Sequence, residues 1–196
     1  SRPCRTQRAG KRRGFDEIRE VRLTSAVVKL AGVDIDVFER GGGKPLLWLH
    51  GGNGFFPNQA FVEPFAKRRR LIVPSHPGFG RSALPEWLDS VDDIAYLYLE
   101  LRDRLGLDTV ELLGCSVGGW AAAELASKIP ERISKLVLVG PVGVKTGPSD
   151  KLDIPDIWAL PQDELNKLMF HDPQKMLPDI SKLPDEQLAI MLRNRE

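Results

Sequence analysis

Four short apolar runs constrain the fold of this chain more than any other feature. They are rich in Leu, Val and Ile, each leads into Gly or Pro, and they read "PLLWL", "RLIVP", "TVELLGC" and "KLVLVG". Continuous apolar runs of this length are typical of strands buried on both faces of a parallel sheet. Helical segments separate them, and this alternation makes right-handed crossovers. The sequence therefore predicts an α/β fold, with a mostly parallel sheet and helices on both faces.

The segment before these runs has a different pattern. Apolar and polar residues alternate on both sides of Ala31-Gly32 in "AVVKLAGVDIDVFER". This alternation predicts a hairpin with one solvated face, and we place both of its strands at the edge of the sheet.

The helical segments carry start and stop signals. In "SVDDIAYLYLELRDRLGL", Ser90 is the predicted N-cap, Asp93 its capping partner, and Gly106 the stop. The segment "GGWAAAELASKIPE" is rich in good helix formers and ends at Pro130. A weaker helix is predicted in "PNQAFVEPFAKRRR", where we expect Pro64 to interrupt it.

Length and composition predict one domain with flanking segments. The chain has 196 residues, of which 42% are hydrophobic. Residues 1–20 are expected to form a disordered basic tail, although the arginine-rich start also resembles an organelle transit segment in composition. Residues 21–146 are assigned to the core. Residues 147–196 form short amphipathic pieces punctuated by prolines, and we predict an incomplete helical lid there.

The charge balance excludes some classes of partner. With 28 basic and 27 acidic residues, the chain has no global field for nucleic acid or an anionic membrane. No apolar run approaches the ~20 residues of a spanning helix. We therefore expect a small-molecule substrate or a protein partner, with a homodimer as one candidate. The two cysteines provide no disulfide framework, which favours a cytoplasmic location.

One turn combines a hydroxyl with closely spaced glycines. The segment Gly114-Cys115-Ser116-Val117-Gly118 has the spacing G-x-S-x-G, with "VELL" before it and "WAAAELA" after it. This is the pattern of a nucleophile elbow, in which a strained serine projects clear of the sheet. The backbone N–H of Val117 would lie in the first helical turn, where it could stabilise an oxyanion. Ser116 is therefore the predicted catalytic nucleophile, and Cys115 is predicted to be a buried filler.

Two further turns follow strands that we expect beside the elbow. The loop at residues 50–54, "HGGNG", supplies the second predicted oxyanion donor, from Gly52 or Asn53. The loop at residues 75–82, "SHPGFGRS", is predicted to line the pocket. The remaining pocket candidates are His50, Gly51, Phe79, Trp120 and Trp158. Structural roles in the loops, the core or the lid are the more frequent use of such residues.

In this order, "LHGGNG", "SHPGFGRS" and "LLGCSVGGW" resemble the α/β-hydrolase family, in particular its lid-bearing serine members. The resemblance covers about residues 25–145 well. It implies an acyl-enzyme on Ser116 that needs no cofactor. No His/Cys/Asp cluster has metal-ligand spacing in the sequence, so we also predict no metal. A serine rather than an aspartate at the elbow disfavours epoxide opening and dehalogenation. Ester, lactone and amide hydrolysis stay open, as do carbon–carbon bond hydrolysis in a ring-cleavage product and a non-catalytic binding role.

The same resemblance implies an acid and a histidine that follow the serine on later turns. Only His171 follows Ser116, and no strand-like run follows Val144. We therefore expect the chain to be an N-terminal fragment that ends inside the lid, with its acid and base elsewhere. We do not expect His50, His76 or His171 to act as the base. In the case of carbon–carbon bond hydrolysis, Arg81 is a candidate for binding a second carboxylate or an enolate of the substrate; the alternative is that this loop residue forms a salt bridge.

Overall fold

The computed structural model describes residues 24–57, 59–156, 159–176, 183–185, 188–189 and 192. The strands are β1 Thr24–Leu30, β2 Val33–Arg40, β3 Pro45–Leu49, β4 Arg70–Pro74, β5 Val110–Cys115 and β6 Ile133–Val139. The helices are α1 Val62–Ala66, α2 Val91–Arg104, α3 Val117–Lys128, α4 Gln162–Met169 and α5 Pro173–Met176, with a 3-10 turn at Pro130–Arg132.

The six strands form one sheet in the order β1-β2-β4-β3-β5-β6. The pairs β3–β4, β3–β5 and β5–β6 are parallel, whereas β1–β2 and β2–β4 are antiparallel. The predicted α/β fold with a mostly parallel sheet is therefore confirmed. The hairpin is also present, but the prediction that both its strands lie at the edge was wrong for β2. Residues 37–40 of β2 pair with residues 71–74 of β4, which covers the edge that β4 would otherwise expose.

Two helix predictions have different outcomes. Helix α2 begins as predicted, because the side chains of Ser90 and Asp93 each accept a hydrogen bond from the other residue's backbone N–H. Pro64 does not interrupt its segment. It lies in the first turn of α1, where the missing N–H would have no intrahelical acceptor.

Helices cover both faces of the sheet, as the sequence predicted. On one face, α2 and α3 bury a large apolar cluster that includes Leu47, Ile72, Leu112, Leu101 and Leu125. On the other face, Val62 of α1 packs with Trp48, Leu71 and Leu113. This arrangement fixes the carboxyl ends of β3, β4 and β5 beside one another, which is where an open α/β sheet binds its ligands.

The flanking segments are described only in part. The predicted tail over residues 1–20 lies outside the described residues. Within residues 147–196 the structure describes α4 and α5, so the lid assignment stays a prediction.

Ahead of these helices, the Asp153 carboxylate accepts hydrogen bonds from Lys145 and from the N–H groups of Thr146 and Gly147. These bonds lower the pKa of Asp153 to about 2. None of the described helices has the length and apolar character needed to cross a membrane.

Candidate active site

Ser116 lies at the turn between β5 and α3 with a strained backbone. Its φ of 53° and ψ of −121° place it in a region that L-residues other than glycine rarely adopt. Backbone hydrogen bonds hold this conformation. The Ser116 N–H donates to the carbonyl of Val139 at 3.0 Å, and the Ser116 carbonyl accepts from Gly119 at 2.9 Å and from Val142 at 3.2 Å. The loop after β6 therefore helps to fix the turn.

The glycines around Ser116 are required by close packing. A Cβ on Gly114 would lie 2.4 Å from the carbonyl oxygen of Gly118. A Cβ on Gly118 would lie 2.3 Å from the carbonyl oxygens of Leu49 and His50. Real Cβ atoms do not approach backbone so closely, so any larger residue would displace α3 or β3. The sterics predicted for the G-x-S-x-G pattern are present.

The loop after β3 lies against the elbow. A Cβ on Gly51 would be 3.2 Å from the Ser116 Cβ. The Gly51 carbonyl accepts from the Gly54 N–H at 3.0 Å, which closes a turn with Gly52 and Asn53 at its centre. Both central residues are exposed, and in the described part of the chain their N–H groups have no hydrogen-bond partner. The structure therefore brings this loop, Ser116 and the start of α3 together.

The side chains of His50 and His76 hold this loop through hydrogen bonds to its backbone. Both side chains are buried. The His76 N–H donates to His50 Nε2 at 2.9 Å, and His50 Nδ1 donates to the Gly51 carbonyl at 2.8 Å. His76 Nε2 donates to the His50 carbonyl at 2.7 Å. Burial lowers the pKa of His76 to about 4 and, together with the nearby His76, lowers the pKa of His50 well below its usual value.

Tyr98 completes this network and was not among the residues predicted from the sequence. Its hydroxyl lies 2.5 Å from His76 Nδ1, and its side chain is fully buried in α2. A signal was present in the sequence, because Tyr98 takes a core position in α2, between Ala95 and Leu101 at helical spacing. A phenol at a core position needs a hydrogen-bond partner.

The loop after β4 is held to the hairpin. The Ser82 hydroxyl donates to the Ser75 carbonyl at 2.8 Å and accepts from the Asp36 N–H at 3.0 Å. Phe79, from the same loop, packs edge-on against the His50 ring with centroids 5.2 Å apart. Phe79 thus lies beside the loop that contacts Ser116.

Arg81 is engaged within the protein. Its guanidinium makes two hydrogen bonds to the Asp36 carboxylate, at 3.0 and 2.7 Å, and a third to the Ser25 hydroxyl at 2.5 Å. These contacts favour the loop salt bridge over the alternative that Arg81 binds a substrate carboxylate.

The other predicted pocket residues have different surroundings. Trp120 packs against the loop after β6, where a Cβ on Gly143 would lie 2.2 Å from the indole ring. Its indole N–H points along α3 to Glu124, at 3.3 Å. Trp158 lies outside the described residues. Cys115 is half-buried rather than buried as predicted. Partial burial raises the pKa of its thiol, which disfavours a role as nucleophile.

No histidine in the described part of the chain hydrogen-bonds the Ser116 hydroxyl. The ring nitrogens of His50 and His76 are occupied as described above, and His171 is an exposed residue between α4 and α5. The described residues also contain no group of three or more His, Cys, Asp or Glu placed to bind a metal ion.

Comparison with known proteins gives a consistent result. Residues 44–188 match the family model described as alpha/beta hydrolase fold. The 2-hydroxymuconate semialdehyde hydrolase of Pseudomonas sp. (strain CF600) is 34% identical over 141 residues, which are 66% of this chain and 47% of that protein. The (lyso)-N-acylphosphatidylethanolamine lipase of Mus musculus is 34% identical over 122 residues, 59% of this chain and 36% of that protein.

Among solved structures, a membrane phospholipase A has a TM-score of 0.64 at 24% identity, over 88% of this chain and 60% of that one. This likeness concerns the fold. The chain spans about half the length of the curated relatives that it matches.

Proposed function

Because this chain belongs to the α/β-hydrolase fold family, we propose that Ser116 is the nucleophile of a hydrolase that acts on a carbonyl carbon through an acyl-enzyme. The observation that carries the proposal is the strained conformation of Ser116, with φ 53° at a strand-to-helix turn closed by glycines. Such strain persists only where the surroundings enforce it, and it clusters at active sites.

The proposed reaction begins when the Ser116 hydroxyl oxygen bonds to the carbonyl carbon and its proton passes to a base. The carbonyl oxygen becomes an oxyanion, which the N–H groups of Val117 and Gly52 would stabilise; Asn53 is the alternative to Gly52. Val117 begins α3, so the positive end of the helix dipole adds to this effect. Collapse of the intermediate expels the leaving group with a proton, and water then hydrolyses the acyl-enzyme.

The proposed base is not one of the chain's three histidines. A lone serine hydroxyl is a weak nucleophile near neutral pH, so the reaction needs a base, and none of the described histidines hydrogen-bonds the Ser116 hydroxyl. The matched segment spans about half of each relative's length. We therefore place the base and its acid in sequence that corresponds to the part of the relatives that this chain does not span.

A carboxylic ester or lactone is the leading substrate class in this proposal. The similarity to a lipase supports it, since a lipase hydrolyses an ester. Hydrolysis of a carbon–carbon bond is the second candidate, and a specific observation favours it. A 2-hydroxymuconate semialdehyde, for which one relative is named, contains no ester or amide bond, so its hydrolysis breaks a carbon–carbon bond. Because Arg81 is engaged by Asp36, a carboxylate of such a substrate would need another cation.

Labelling with a fluorophosphonate probe tests the nucleophile. We expect the protein, expressed from its complete reading frame, to be labelled stoichiometrically, and Ser116→Ala to lose the label. Ser127→Ala is the matched control, because Ser127 is an exposed serine on the same helix. Labelling that survives Ser116→Ala, or that moves to Cys115, contradicts the proposal.

Turnover of two substrates then separates the candidate reactions. Faster hydrolysis of p-nitrophenyl butyrate than of a 2-hydroxy-6-oxodienoate supports the ester assignment, and the reverse order supports carbon–carbon cleavage. A protein that binds either compound without turnover would be a non-catalytic binding protein.

A further inference from the structure

We infer that Tyr98 is a positioning residue that sets the direction of the Gly52 N–H through His76 and His50. The inference rests on the proposed function, in which the Gly52 N–H holds the oxyanion. Tyr98 lies in α2 and is separated from the elbow by two side chains.

The Tyr98 hydroxyl is placed for one hydrogen bond. Its side chain has no exposed surface and packs in the main apolar cluster, among residues such as Leu97 and Leu101. Burial of a hydroxyl costs free energy unless it is hydrogen-bonded, and here the partner is His76 Nδ1 at 2.5 Å. A phenylalanine would fill the same space without that cost. The hydroxyl therefore acts through the bond to His76.

Backbone groups decide which atom donates and which accepts in the hydrogen bonds that link Tyr98, His76, His50 and Gly51. The His76 N–H can only donate, so His50 Nε2 accepts and His50 Nδ1 carries the proton given to the Gly51 carbonyl. The His50 carbonyl can only accept, so His76 Nε2 carries a proton, and in the neutral ring that burial favours, Nδ1 has the lone pair. Tyr98 must then donate to His76 Nδ1. One tautomer of each neutral ring satisfies all four bonds.

The chain of hydrogen bonds ends on the peptide that carries the proposed oxyanion donor. The Gly51 carbonyl and the Gly52 N–H belong to one planar peptide unit and point in opposite directions. Two donors hold that carbonyl, His50 Nδ1 at 2.8 Å and the Gly54 N–H at 3.0 Å. Fixing the carbonyl also fixes the direction of the Gly52 N–H, in the loop whose Gly51 lies against Ser116.

Loss of the Tyr98 hydroxyl would release this control. His76 Nδ1 would become a buried acceptor without a donor, and the ring, no longer held from α2, could turn away from the His50 carbonyl. The His50 carbonyl would lose its donor, and the loop after β3 could rotate its peptides. When an oxyanion donor points away, mainly the transition state loses stabilisation, because the negative charge that the donor binds develops there.

Tyr98→Phe in the protein expressed from its complete reading frame tests the inference. We expect kcat for p-nitrophenyl butyrate to fall roughly tenfold with little change in KM, since a misaligned donor costs less than the ~10²–10³-fold of a lost one. Tyr96→Phe is the matched control on the same helix, because the Tyr96 side chain is 57% exposed. An unchanged kcat in Tyr98→Phe overturns the inference, as does an equal loss in Tyr96→Phe.

Two further measurements keep the test independent of folding and of the proposed chemistry. The imidazole ¹⁵N shifts of the unsubstituted protein should report neutral His50 protonated on Nδ1 and neutral His76 protonated on Nε2; the opposite tautomers overturn the inference.

His76→Gln should lower kcat about as much as Tyr98→Phe does, and combining the two substitutions should cause no further loss. Additive losses contradict a single chain of bonds. If Ser116→Ala retains turnover, the proposed nucleophile fails while the tautomers still decide the hydrogen-bond chain.

Discussion

His50 and His76 are joined by two reciprocal hydrogen bonds in which each residue uses one backbone and one ring atom. The His76 N–H donates to His50 Nε2 at 2.9 Å, and His76 Nε2 donates to the His50 carbonyl at 2.7 Å. This pairing requires a neutral His50 ring, because a proton on its Nε2 would face the His76 N–H. Both bonds therefore link the ends of β3 and β4 only while His50 is uncharged.

Stability should therefore fall in acid. Both histidines have pKa values lowered in the folded protein, to about 4 for His76, against ~6.5 in an unfolded chain. Between these values the unfolded state binds more protons, so stability rises with pH and is lost as pH falls from about 6.5 towards 4. We expect His76 alone to contribute on the order of 3 kcal/mol of this loss between pH 7 and pH 4. Thermal denaturation across this range measures it.

A variant separates this effect from general acid denaturation. His76→Gln should be less stable than the unsubstituted protein at pH 7, and the difference should shrink as pH falls to 4. His171→Gln, at an exposed position, should follow the unsubstituted protein throughout. A constant difference between His76→Gln and the unsubstituted protein would show that His76 does not titrate in this way.

Two glycines of the site should respond in opposite ways to alanine. A Cβ on Gly118 meets backbone oxygens at 2.3 Å, whereas a Cβ on Gly52 meets nothing within 4 Å. We expect Gly118→Ala to destabilise the protein by roughly 3 kcal/mol or more, because backbone must move. Gly52→Ala should change stability by about 0.5 kcal/mol or less. Urea denaturation of both variants tests the contrast, and equal losses would contradict it.

Removal of the strain at Ser116 should stabilise the fold. Glycine accepts a φ of 53° without steric cost, whereas alanine keeps the Cβ that causes the strain. We expect Ser116→Gly to be about 1 kcal/mol more stable than Ser116→Ala, and neither to be labelled by the fluorophosphonate. Chemical denaturation compares the two variants. If Ser116→Gly is the less stable of the pair, the turn stores no such strain.

The sequence was sufficient to predict features that depend on local patterns. The strands, the capping box at Ser90 and the turn at Ser116 follow from apolar periodicity, capping residues and glycine spacing, and all three are present. The position of β2 was not predictable in this way. Alternation shows which face of a strand is buried, but not which strand pairs with it, and the pairing of β2 with β4 is a long-range contact.

The backbone turns of the candidate site were predictable from the sequence, whereas its side-chain hydrogen bonds were not. Glycine spacing predicted the sharp turn at Ser116 and the turn after β3. Arg81 pairs with Asp36 and Tyr98 pairs with His76. Both partners are distant in sequence, and no local pattern encodes such pairs. The helical spacing of Tyr98 marked it as a core residue, but its hydrogen-bond partner became visible only in the folded chain.

Strand β6 is predicted to mediate self-association of the 196-residue chain. It is an edge of the described sheet, and the side chains of Leu136, Val137 and Val139 are 42%, 47% and 52% exposed. An edge strand with exposed apolar side chains is a template for pairing with a second copy. We expect sedimentation velocity to show concentration-dependent association. Val137→Lys should reduce it, because a charge cannot be buried in the paired edge without cost.

The opposite edge of the sheet provides the control. Val27 lies on β1 and is 53% exposed, close to the value for Val137, but the neighbouring Lys29 forms an ion pair with Asp34 and places charge on that hairpin. Val27→Lys should therefore leave association unchanged. Association that falls equally in both variants would reflect added positive charge rather than pairing at β6. A monomer at all concentrations would show that the β6 edge does not associate.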